Sequence, residues 1–154
     1  MSFKVVRNQA GKVVAYGPNE ESYQPNGIVE IHERQPSELL WFGMWQAIRN
    51  KRTEVQNSGV LVGGKWFHTD QISRSQQISL VLLGTDIAAN LKWKTMDGTF
   101  VEMTTTLALE IVDAVMVKDT ATFLVAEAHR AAMETCSAPL DYDFSTGWPA
   151  MFGE

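Results

Sequence analysis

The spacing of apolar positions changes repeatedly along this chain, and each change predicts an element. Near the start, Phe3-Lys4-Val5-Val6 and Lys12-Val13-Val14-Ala15-Tyr16 are β-prone runs on either side of the turn-forming Arg7-Asn8-Gln9-Ala10-Gly11. That pattern reads as a hairpin. Ile28-Val29-Glu30-Ile31, after Pro25-Asn26-Gly27, is the candidate for a third strand, giving a small β-rich module over residues 1–33. A lone hairpin is marginal in water, so the module must pack on something.

From Pro36-Ser37-Glu38 onward the period becomes helical. Ser37 or Gln35 can cap, and Leu39, Leu40, Phe42, Trp45, Ile48 and Val55 recur at intervals of three and four, which predicts a helix to about Asn57 with Gly59 as its stop. Leu39-Leu40-Trp41-Phe42 with Met44-Trp45 is more apolar surface than one buried stripe needs. Residues 34–58 therefore read as an aromatic helix and connector, which either packs on the N-terminal sheet or meets another module or chain.

Over residues 59–137 the pattern predicts two hairpins and two or three further helices. Gly63-Gly64 separates Val60-Leu61-Val62 from Lys65-Trp66-Phe67-His68, and Asp97-Gly98 separates Leu91-Lys92-Trp93-Lys94 from Thr99-Phe100-Val101-Glu102. Between them, Thr69 or Asp70 caps a helix through about Leu83 that Gly84 closes. After a cap at Thr104 or Thr105, helical spacing runs to about Cys136, as one long helix or as two joined near Lys118-Asp119-Thr120. Residues 138–154 form a tail with proline and glycine punctuation but also Tyr142, Phe144, Trp148 and Phe152, so it docks in cis or on a partner. The fold class is α+β: an N-terminal β-hairpin module, then a small domain of two β-hairpins packed with two or three helices, the last long.

Composition narrows the function. With 154 residues and 45% apolar content the chain can bury a core, which excludes disorder. Net charge is −5, and the basic residues are scattered apart from Arg49-Asn50-Lys51-Arg52, which reads as a solvated helix end; nucleic-acid binding is not expected. The single Cys136 allows neither an intrachain disulfide nor a cysteine-based metal site. The first residues lack the apolar core of a signal peptide, and Leu80-Val81-Leu82-Leu83 is too short to span a bilayer, so a cytoplasmic location without membrane contact is expected.

Candidate chemistry is sparse. His32, His68 and His129 each stand alone, and His68-Thr69-Asp70, the nearest approach to a metal pair, reads better as a hairpin end followed by a cap. Gly63-Gly64-Lys65 has no following Ser or Thr to make a phosphate-binding loop. Glu127 with His129, or Asp141 with Asp143, could be drawn as acid/base pairs, but i and i+2 neighbours face different ways on a helix. The expectation is a non-enzymatic protein with no catalytic, metal or cofactor residues. The tryptophans Trp41, Trp45, Trp66, Trp93 and Trp148 are many for this length; most are core, and some are contact anchors. The candidate partner-binding residues are Trp41, Trp45, Tyr142, Phe144, Trp148 and Phe152.

One stretch is more specific. Arg49-Asn50-Lys51-Arg52 followed by Gly59, Asp70 with Ser73-Arg74, Trp93-Lys94-Thr95-Met96-Asp97-Gly98-Thr99-Phe100-Val101-Glu102-Met103-Thr104, and His129-Arg130-Ala131-Ala132 on an alanine-rich helix follow one another in this order. In order and spacing they resemble the DUF4376 family of phage and prophage proteins, a domain often met in tail-fibre assembly and tail proteins. The resemblance implies a bacteriophage tail protein that binds tail-fibre or baseplate subunits, including a trimeric fibre, first in the host cytoplasm and then in the virion tail. The alternative is a fibre-assembly chaperone that binds the fibre C-terminus and is not retained; an uncharacterised small enzyme is the third reading.

Overall fold

The short N-terminal runs pair as their alternation requires. In the computed structural model, which describes residues 2–11, 13–18, 27–32 and 37–154, strand β1 (Phe3–Arg7) lies between β2 (Val13–Pro18) and β3 (Ile28–His32), antiparallel to both. The β1–β2 turn closes with Gly11 N–H donating to Asn8 O at 2.9 Å, and the third strand expected from Ile28–Ile31 is present. Val5 and Val6 are buried, and Arg7 Nε donates to Glu30 Oε2 at 3.1 Å across the β1–β3 pair.

The chain divides into two compact units, residues Met1–Met44 and Trp45–Glu154. The boundary falls inside helix α1 (Ser37–Asn57). Gln35, one of its two expected caps, lies outside the described residues.

The second unit is a mixture of helices and small hairpins: β4 (Val60–Val62), β5 (Lys65–Phe67), α2 (Gln71–Leu83), β6 (Lys92–Lys94), β7 (Phe100–Glu102) and α3 (Thr105–Thr135). Both hairpins turn where their glycines allow, with Gly63, Gly64 and Gly98 at φ of +56°, +78° and +84°. Of the paired cap candidates, Asp70 takes the α2 N-terminus, accepting from Ile72 N–H and Ser73 N–H at 3.0 Å, while Thr69 is turned inward. Thr104 Oγ1 likewise accepts from Leu107 N–H, leaving Thr105 to donate its hydroxyl to Gly84 O. The core gathers Val60, Phe67, Leu80, Met103, Ala108, Ile111 and Val115, so the first hairpin, α2 and α3 share one interior.

Residues 105–135 form one helix of 31 residues, which settles the choice left open by Lys118-Asp119-Thr120. Thr120 and Thr122 return their hydroxyls to Met116 O and Lys118 O one turn back, so these two hydroxyls are satisfied within the helix.

At the second hairpin Asp97 accepts from Lys65 Nζ at 2.8 Å, Thr95 Oγ1 at 2.6 Å and Thr99 N–H at 2.9 Å. The Lys65 ammonium is the largest of these influences, and together they hold the carboxyl well below the usual carboxylate range. A depressed folded-state pKa contributes stability that is present above the ordinary value of 3.8 and is lost as pH falls through the folded value. Asp97→Asn should therefore be less stable than the parent at neutral pH and lose less on acidification. Urea midpoints compared between about pH 6 and about pH 2 check this, and parallel losses in the two proteins would refute it.

Candidate protein-contact surface

Helix α1 ends with carbonyls that need donors, and side chains from the following elements supply them. Thr69 Oγ1 donates to Gln56 O at 2.7 Å and Arg74 Nη2 donates to the same oxygen at 2.8 Å. Arg74 also grips Asp119 on α3 through both of its terminal nitrogens, at 2.5 and 3.1 Å. Lys118, on the inner face of α3, donates to Gly59 O at 2.6 Å, Ser58 Oγ at 2.9 Å and Ala150 O at 2.8 Å, with its ammonium 5.7 Å from the Trp66 ring. Burial pulls the Lys118 pKa below the ordinary lysine value, opposed by the carboxylates of Asp119 and Glu154. Of the residues that stood out in the sequence, Gly59 and Arg74 thus join α1 to α2 and α3, while Asp70 and Ser73 cap α2.

Through Ala150 the same lysine holds the C-terminal tail. Phe152 N–H donates to Ser58 O at 3.1 Å, and the Phe152 ring meets Trp66 edge-on at 6.0 Å between centroids. Further up the tail, Trp148 stacks on His129 at 5.4 Å, and its indole N–H donates to Phe144 O at 2.7 Å. His129 Nε2 lies 2.9 Å from Thr146 O, and Nδ1 lies 2.9 Å from the Tyr142 hydroxyl. A carbonyl only accepts, so Nε2 carries a hydrogen, and in the neutral ring Tyr142 O–H donates to Nδ1. Of the two dockings open to the tail, the one in cis is formed.

The six aromatic candidates therefore fall at several places. Tyr142 and Trp148 converge on His129, Phe144 supplies the carbonyl beside them, and Phe152 lies at Trp66. Trp45 is half-buried between guanidinium groups, with Arg49 5.8 Å and Arg130 5.0 Å from its ring, and Arg52 covers Phe123 at 4.6 Å. Within the Arg49–Arg52 cluster the two arginines thus lie over aromatic rings, while Lys51 pairs with Glu54. Trp41 is half-buried in the first unit.

A different apolar surface went unread in the sequence. Helix α3 turns Ala108, Ile111, Val115, Lys118, Thr122, Ala126 and Met133 inward. That leaves Leu109, Met116 and Phe123, at seven-residue spacing, on its outer side, each between 46% and 64% exposed. Helices α2 and α3 run antiparallel, since Thr105 bonds Gly84 at one end and Arg74 pairs with Asp119 further along. Ile78 on α2 and Val112 and Met116 on α3 line a hollow of about 210 Å³ between them. Leu82, one turn beyond Ile78 and 82% exposed, and Leu109 extend the same face. The legible signal was that α3 is apolar nearly all round, whereas packing against one neighbouring layer needs one stripe.

The drawn acid/base pairs have other occupations: Glu127 lies 3.6 Å from Arg130, and Asp143 accepts from Ser145 N–H at 2.8 Å. Among the described residues no group of three His, Cys, Asp or Glu side chains is placed to hold a metal ion, and no helix is long and apolar enough to cross a membrane.

These features define a mixed α/β protein of small antiparallel hairpins and three helices, with a docked C-terminal tail and an uncovered apolar helix face. The chain belongs to the DUF4376 family, whose model, described as a domain of unknown function, matches residues 43–146. No curated protein and no solved structure matches it. The matched span takes in the α1 C-terminus, both later hairpins, α2, α3 and the tail as far as Thr146.

Proposed function

We propose that this chain is a non-enzymatic bacteriophage tail protein that works by binding other proteins, as a component associated with the tail fibre or baseplate. The observation that carries the binding part is the outer face of α2 and α3, where Ile78, Leu82, Leu109 and Met116 are each half-exposed or more around an apolar hollow. Burying such a face against another subunit removes apolar area from water at about 25 cal/mol per Å². The tail assignment rests on the resemblance carried by the Trp93–Thr104 hairpin and its neighbours.

Quantitative mass spectrometry of purified phage particles beside their lysate tests this reading. Presence in a fixed ratio to the tail proteins is the expected result. Abundance in the lysate with absence from particles would instead make the chain an assembly chaperone acting on the fibre C-terminus. In the same assay Leu82→Lys combined with Met116→Lys should lower incorporation roughly tenfold or more while leaving the circular dichroism spectrum unchanged. Undiminished incorporation of the folded variant would remove this face from the interface.

A further inference from the structure

Among the described residues strand β6 has one strand partner, β7, and its other edge carries no second strand. Thr95 N–H donates to Thr99 O at 2.9 Å and Met103 N–H donates to Leu91 O at 2.8 Å, so the odd-numbered residues Leu91, Trp93 and Thr95 carry the antiparallel ladder to β7. By the same alternation the backbone groups of Lys92, Lys94 and Met96 point away from β7. Met96 N–H finds Trp66 O on β5 at 2.8 Å. Among the described residues no further backbone bond joins β5 to β6, and no backbone partner outside the β6–β7 hairpin is found for Lys94 or Lys92.

An open groove runs between β6 and α2. It consists of adjoining hollows of about 310 and 480 Å³ that share Gln76, Lys92 and Trp93. His68 and Lys94 line the first and Ser79 the second. Among the described residues no acidic side chain lines either hollow, in a chain whose net charge is −5. The carboxylate that approaches Lys92, Glu102 at 3.9 Å, stands across the hairpin on β7, and among the described residues no carboxylate lies within ion-pairing distance of Lys94.

We infer that this groove binds an extended, acidic peptide segment, which adds to the free edge of β6 as a further strand. The fold has already begun that pairing at Met96 and Trp66, and the incoming segment continues it at Lys94 and Lys92. Backbone hydrogen bonds supply affinity that is indifferent to sequence, and the lysines supply the selection. Lysine on an edge strand also repels basic strands, which keeps the edge from indiscriminate pairing. The inference is independent of the tail reading, because it uses another surface and another chemistry.

The test uses the full chain, labelled with ¹⁵N, and three synthetic peptides: an alternating Glu/Val segment, its Lys/Val counterpart, and the Glu/Val segment N-methylated at alternate residues. Saturable shifts and slowed exchange of the Lys92 and Lys94 amides with the acidic peptide are expected, with binding of the basic peptide about tenfold weaker. The N-methylated peptide should lose this binding, and Lys92→Glu with Lys94→Glu should reverse the charge preference. Equal binding of acidic and basic peptides, unaltered binding on N-methylation, or no saturable shift at Lys92 and Lys94 would each overturn the proposal.

Discussion

Lys118→Met should lower the stability of the Trp45–Glu154 unit by about 2 kcal/mol, and Lys118→Ala by about 4 kcal/mol. Methionine keeps most of the lysine's volume but donates nothing, so the Met variant isolates the hydrogen bonds. Gly59 O is buried and would lose its side-chain donor, whereas Ser58 Oγ and Ala150 O are only partly buried and can recover water. Alanine adds a cavity beneath Trp66, which accounts for the difference between the variants. Urea denaturation measures both. The Met variant should also free the tail, seen as faster amide exchange at Phe152, whose bond to Ser58 O lies beside the lost ammonium. Wild-type stability of the Met variant would mean that the cost of burying the charge cancels the bonds it makes.

The pH dependence has a definite sign. Burial lowers the folded-state pKa of Lys118, so between that value and the ordinary 10.5 the unfolded chain binds more protons than the folded one. This group's contribution to stability therefore rises with pH across that window. The Met variant should lack the rise, which separates the ammonium from every other alkaline titration.

Much of the second unit was legible because local chemistry decides it. Gly63-Gly64 and Asp97-Gly98 permit tight turns between β-prone runs, and Thr69-Asp70 before a helical run offers a cap, which the fold takes from Asp70. Lys118 shows where such reading stops. In the sequence Lys118-Asp119-Thr120 is as compatible with a join between two helices as with the middle of one. In the fold Asp119 is held by Arg74, and Lys118 turns inward to carbonyls contributed from residues 59 and 150. Partners so distant along the chain leave no local trace, and the same is true of His129, whose neighbours Tyr142, Thr146 and Trp148 arrive only with the docked tail.

The candidate contact residues were harder to read for a related reason. Aromatic side chains signal buried area without saying whether the covering surface belongs to the same chain. Trp148, Tyr142 and Phe152 find partners in cis, and Trp45 is flanked by arginines. The outer apolar face is built from aliphatic residues of two helices, each ordinary in its own context. It becomes a surface only when Ile78 and Leu82 are set beside Leu109 and Met116 by the antiparallel packing of α2 on α3.

Gly59→Ala should cost about 3 kcal/mol, through two separable causes. The first is backbone conformation: Gly59 stops α1 at φ +90°, where an L-residue costs about 1–2 kcal/mol. The second is space. A Cβ here would fall deep inside contact with Met96 Sδ, 3.1 Å from Phe67 O and 3.2 Å from Trp66 Cε3. The Met96 thioether can swing aside, but the Phe67 carbonyl belongs to β5 and its shift would disturb the first hairpin. Met96→Ala removes the flexible obstacle while leaving the backbone conformation and the carbonyl in place. In that background Gly59→Ala should cost only about 1–2 kcal/mol, so the pair should show coupling in a double-mutant cycle by urea denaturation. Full additivity would assign the whole cost to φ and the Phe67 carbonyl. A cost near zero in either background would mean that the α1 stop tolerates a side chain and that the joint formed by Gly59 N–H on Thr69 and Gly59 O on Lys118 can shift without loss.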